Sequence, residues 1–143
     1  MKHAAVGIQA LPHKFPFVML DRVLEVEPGR RAQAEKLITR GSHFETGGGV
    51  YYPEMFLLEA MAQLGAVAAA AQGGAAADGE ARTGYLAAIS DARFYRRPRV
   101  GDRVVFAVEY EAGMGGLVRF SGSATIDGER AAEVKLTFTV PGA

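Results

Sequence analysis

The run MFLLEAMAQLGAVAAAA at residues 55–71 constrains this chain most. Met55, Phe56, Leu57, Leu58, Met61, Leu64 and Val67 occupy nearly every face of a helix built from it, so the helix must be surrounded by protein rather than laid on a surface. Glu59, Gln63, Gly65 and the alanines interrupt the apolar character, which makes the segment a poor membrane span and a good buried helix. Pro53 suits its first turn, Glu54 favours the same end electrostatically, and Gly73-Gly74 supplies the stop.

The element that encloses the helix is legible in the C-terminal half. Val104, Phe106, Val108 and Tyr110 alternate with Arg103, Val105, Ala107 and Glu109 in strand period. A second strand spans residues 117–126, and a third residues 132–140, with Val134, Leu136, Phe138 and Val140 on one face. Turn signals at residues 113–116 and at Asp127-Gly128 join the three as consecutive antiparallel hairpins. Residues 17–26 and 31–39 read as two earlier strands hinged at Pro28-Gly29, and residues 85–97 as a further one. The Gly/Ala-rich residues 73–84 read as a surface loop. The expected fold class is α+β, an antiparallel sheet of five or six strands around one long helix, in a single domain over residues 1–143 with no internal repeat. Exposed sheet edges make dimerisation an expectation.

Composition narrows the functional classes. Sixteen basic side chains balance sixteen acidic ones, so no net field draws the chain to nucleic acid or anionic lipid. With no cysteine there is no disulfide, zinc-thiolate site or cysteine nucleophile. Residues 1–11 lack a sustained apolar run and read as neither a secretory signal nor a presequence, so the expectation is a cytoplasmic protein.

Glu59 is the most informative candidate. A carboxylate on an apolar helix is costly to bury unless paired or protonated, and removing a carboxylic acid from water favours the proton-bearing form that general-acid catalysis needs. Gln63, one turn further on, shares its face and can hold its rotamer. His43, in the loop-like residues 41–52, is placed as a candidate base for the helix N-terminal half, and Glu45 is an equally placed acid or base; each also has a plain reading as a surface residue. His13, between Pro12 and Pro16, reads as part of a rigid structural lead-in. The three glycines at residues 47–49 lack the lysine and hydroxyl residue of a phosphate-binding P-loop. Arg93, Arg96, Arg97, Arg99 and Arg103 form the dense basic cluster, suited to an acidic carrier protein or a pantetheine phosphate, or else to a solvated strand rim.

LPHKFPFVMLDRVLEVEPG at residues 11–29, PEMFLLEAMAQ at residues 53–63 and ISDARFYRRPRVGD at residues 89–102 together resemble the (3R)-hydroxyacyl-acyl-carrier-protein dehydratases of bacterial fatty-acid synthesis. The resemblance implies a hot-dog fold, a homodimer with acyl tunnels at the subunit interface, and dehydration of 3-hydroxyacyl thioesters to trans-2-enoyl thioesters on acyl carrier protein or coenzyme A, with no cofactor or metal. It further implies that a loop histidine acts on the C2 proton while the partner chain's helix glutamate, here matched by Glu59, protonates the leaving hydroxyl. Gln63, Pro53, Tyr52 and Phe94 then line the substrate site, Tyr51 and Tyr52 narrow the tunnel, and Arg93, Arg96 and Arg97 dock the carrier. The family's Gly-His-Phe-Pro-Gly loop is altered, reading Ser42-His43-Phe44-Glu45-Thr46-Gly47. Aligning His43-Phe44 with the family's His-Phe lengthens the stretch to Glu59. Aligning back from Pro53 puts Glu45 in the histidine's place. The second alignment leaves open a thioesterase, or an acyl-carrier-binding homologue without turnover.

Overall fold

A computed structural model describes residues 7–40, 50–73 and 84–139. Strands β1 (Arg22–Glu27) and β2 (Arg31–Leu37) precede helix α1 (Met55–Gly73); strands β3 (Tyr85–Phe94), β4 (Arg103–Met114), β5 (Leu117–Ile126) and β6 (Glu129–Thr139) follow it. All pairings are antiparallel, in the order β1-β2-β4-β5-β6-β3. β4, β5 and β6 form the expected meander. Each of its two tight turns uses two residues of positive φ, Gly115-Gly116 (60° and 79°) and Asp127-Gly128 (52° and 78°), the combination whose twist matches the flanking strands. Gly113, expected in the first turn, lies inside β4 instead.

Leu57, Met61, Leu64, Val67 and Ala68 of α1 are buried against Phe106, Val108, Phe120, Ala124, Val134 and Leu136 of the sheet. Each large apolar side chain so enclosed contributes about 1.5–3 kcal/mol. Helix and sheet approach closely through reciprocal glycines. A Cβ on Gly65 of the helix would stand 2.9 Å from the Phe138 ring, and one on Gly122 of the sheet 3.0 Å from Met61 Sδ and 3.2 Å from Val134 Cγ1. Gly122→Val is therefore expected to overpack this contact and cost about 1–3 kcal/mol, read as a lower urea midpoint at unchanged slope.

β2 ends at Leu37 and β6 begins at Glu129, two residues short of and three residues before the expected bounds, and three further boundaries differ for a visible reason. The first strand begins at Arg22, not residue 17, because Phe17 O and Met19 N are bonded by the Gln63 side chain rather than by a neighbouring strand. β3 stops at Phe94, where Tyr95 N and Arg96 N both turn to Ala131 O. α1 opens at Met55, with Pro53 and Glu54 in the preceding turn, their carbonyls accepting from Phe56 N and Leu57 N. The helix entrance is fixed from the other side by the β3–β4 connection: Tyr52 N donates to Pro98 O and Val100 N to Val50 O, each at 2.9 Å. The β1–β2 turn reaches back to the helix through Gly29 N and Ala68 O, 2.9 Å apart. The surface loop expected at residues 73–84 lies, past its first residue and before its last, outside the described residues.

Candidate active site

Gln63 is the polar centre of the site. It is 1% exposed and makes three bonds: its Oε1 accepts from Met19 N at 2.9 Å, and its Nε2 donates to Phe17 O at 2.8 Å and to Glu59 Oε1 at 3.0 Å. One side chain thus ties the N-terminal segment to the helix and sets the Glu59 rotamer, as the spacing of four residues allows.

Glu59 itself is less enclosed than the apolar helix led one to expect. Its side chain is 42% exposed. The sheet of its own chain does not cover the strip of α1 that carries Met55, Glu59, Ala66 and Ala70, whereas the folded-back N-terminal segment does cover Gln63. The half-open carboxylate is accordingly the part of this polar group that a substrate or a second chain can reach.

The sequence reading missed His13. Its Nε2 lies 3.5 Å from Glu59 Oε1, and its Nδ1 is enclosed with no hydrogen-bond partner among the described residues. Spacing along the chain carries no signal for this contact. Only its place between Pro12 and Pro16, on a segment that Leu11 and Met19 anchor in the core, hints at a fixed position.

The remaining candidates surround the helix entrance. Tyr52 is buried, its hydroxyl 3.4 Å from Met19 Sδ and its ring edge-on to Phe56 at 5.5 Å between centroids. Burial, with the nearby Asp21 carboxylate, pushes its phenol from 10.0 up to about 12. Because the unfolded chain releases that proton first, stability should be intact below pH 10 and fall by up to about 1.4 kcal/mol per pH unit between 10 and 12. A spectrophotometric titration should show one late tyrosine that disappears in Tyr52→Phe; an unchanged curve in that variant would contradict the assignment. Tyr51 is half-exposed and carries the Arg97 guanidinium 4.9 Å above its ring. Arg96 is engaged by Asp102 at 3.4 Å and Asp127 at 3.8 Å, while Arg93 is exposed and faces Glu133 in the β3–β6 register. Phe94 ends β3, exposed, opposite Ala132. Gln63 and Glu59 are thus brought together, Tyr52 and Pro53 stand at the mouth of the same helix, and Phe94 with the arginines lies along β3 and its continuation. His43 and Glu45 lie outside the described residues. No cluster of three metal-ligating side chains occurs among the described residues, and none of their helices is long and apolar enough to cross a membrane.

A family model, the FabA-like domain, matches residues 11–135. The chain belongs to this family. The three motifs therefore identified it correctly. The FabA-like chain is 36% identical over 135 residues to the 3-hydroxyacyl-(acyl-carrier-protein) dehydratase FabZ of Bacillus subtilis, covering 92% of this chain and 93% of the relative. It is 39% identical over 137 residues to the enzyme of the same name from Sodalis glossinidius, covering 94% and 89%. Among solved structures, the dehydratase heterocomplex ApeI:P from Xenorhabdus doucetiae superposes with a TM-score of 0.80 at 19% identity, over 95% of this chain and 91% of that one. A hypothetical thioesterase with coenzyme A from Streptococcus pneumoniae gives a TM-score of 0.67 at 10% identity, over 84% of each chain. This FabA-like domain has the hot-dog fold, and the helix-in-sheet expectation stands.

Proposed function

We propose that this chain removes water from 3-hydroxyacyl thioesters carried on acyl carrier protein, giving trans-2-enoyl thioesters for acyl-chain synthesis. The observation that carries the reading is the Glu59 carboxyl, rotamer-locked by buried Gln63 and left accessible on an otherwise apolar helix, in a chain 36% identical to a curated dehydratase. Glu59 gives its proton to the C3 hydroxyl as the C3–O bond breaks. A base takes the C2 proton, and the electrons of the C2–H bond become the C2=C3 double bond. Water leaves, and the base returns its proton to Glu59 through solvent. His43 fills the base's role by family resemblance, with Glu45 as the alternative. Tyr52, Pro53 and Phe94 line the acyl path, and Arg93, Arg96 and Arg97 receive the acidic carrier.

The acid and base come from different chains of a homodimer. All ten residues of β3 are exposed although the strand is apolar at Tyr85, Leu86, Ile89 and Phe94, the signature of an edge awaiting another strand. Introducing lysines together at Leu86 and Ile89 is expected to convert dimer to monomer in light scattering and to remove turnover with it. A wild-type monomer, or an active monomeric variant, would overturn the shared site.

Purified protein incubated with 3-hydroxyacyl carrier substrate should yield the enoyl carrier product by intact-mass spectrometry. Release of free carrier thiol without enoyl product would assign a thioesterase instead, and carrier binding without either product a non-catalytic homologue.

A further inference from the structure

We propose that His13 is a positioning residue that fixes which oxygen of Glu59 delivers the proton, an assignment that rests on the reading of Glu59 as the acid. Two nitrogens converge on one carboxylate oxygen: Gln63 Nε2 at 3.0 Å and His13 Nε2 at 3.5 Å both face Oε1. Neither contact involves Oε2. With Oε1 engaged from two sides, Oε2 is the oxygen presented to the leaving hydroxyl.

The segment bearing His13 is held where this requires. Gln63 bonds Phe17 O and Met19 N on one side of it, and buried Leu11 anchors the other. The position of His13 is therefore set by the same side chain that sets Glu59. The enclosure of Nδ1 assigns the tautomer. A proton there would be a buried donor with no acceptor among the described residues, whereas a proton on Nε2 has a carboxylate oxygen 3.5 Å from its nitrogen. On this assignment His13 carries its proton on Nε2, the nitrogen that lies 3.5 Å from Oε1.

Two variants separate positioning from simple packing. Glutamine places an amide N–H close to where the Nε2–H of histidine sits; leucine fills similar space with no donor. In His13→Leu, kcat for enoyl formation should fall about 10- to 100-fold with KM within about twofold, and His13→Gln should restore most of it. Equal losses in both variants, or no loss in leucine, would overturn the proposal. A second readout does not depend on turnover. Long-range proton–nitrogen spectra of the imidazoles, with His13 assigned by its absence in His13→Gln, should show Nε2 protonated and its shift displaced in Glu59→Gln. An Nδ1-protonated ring, or one indifferent to Glu59→Gln, overturns the contact. If wild type forms no enoyl product, the dehydratase reading fails by that assay while the His13–Glu59 contact is still decided by the spectrum.

Discussion

Glu59→Gln should lower kcat for enoyl formation by about a hundred- to ten-thousand-fold, the range that a positioned general acid supplies. The replacement isolates chemistry from architecture. Its amide oxygen can still accept from Gln63 Nε2, which lies 3.0 Å from Glu59 Oε1 in the native chain, so the rotamer and the fold should persist. What is lost is the transferable proton. The loss corresponds to about 2.7–5.4 kcal/mol of barrier at 1.36 kcal/mol per decade. Because the effect lies on the chemical step, KM should move little. Continuous enoyl absorbance with carrier-bound substrate gives the measurement, and near-native kcat in the variant would remove Glu59 from the mechanism.

Gln63→Leu should be costly in a different way. The leucine fills the space but cannot bond Met19 N, 2.9 Å from Gln63 Oε1, or Phe17 O, 2.8 Å from its Nε2. Leaving the Met19 N–H buried and unpaired costs about 1–3 kcal/mol by itself. The N-terminal segment should loosen from α1, and with it the second contact of Glu59. Urea unfolding should therefore show a lower midpoint, and kcat should fall about tenfold or more as the acid loses its fixed geometry. A variant as stable as wild type would mean that Gln63 does not hold the segment to the helix.

How far the sequence leads depends on the range of the interaction. The helix was legible because its stop glycine is local and its apolar positions cover the whole circumference. The β4–β5–β6 meander was legible because strand alternation and glycine turns act over a few residues. Residues 17–20 misled, since their apolar run suits a strand but Phe17 O and Met19 N are satisfied by a side chain 46 and 44 positions away. The role of His13 was invisible for the same reason. Glu59 showed the limit of patterning: an all-round apolar helix implies enclosure, but not whether one chain supplies all of it. β3 carries a similar lesson, for its apolar content predicts a covered strand and its own chain leaves it bare.

The irregularity in β3 bears on how far copies of this chain can accumulate. Asp91 adopts a φ of 52° where the β3–β6 register slips between Ser90 and Arg93, and a second slip falls between Leu86 and Ala88, so the outer rim of the sheet is irregular in both halves. An incoming strand meets a kink after a few residues. At the opposite rim, β1 is six residues long, slips in register between Val23 and Glu25, and bears charged side chains at Arg22, Glu25 and Glu27. Neither rim offers a long, flat, regular strand for copies of the chain to extend without limit, the geometry by which sheet proteins avoid open-ended edge-to-edge growth.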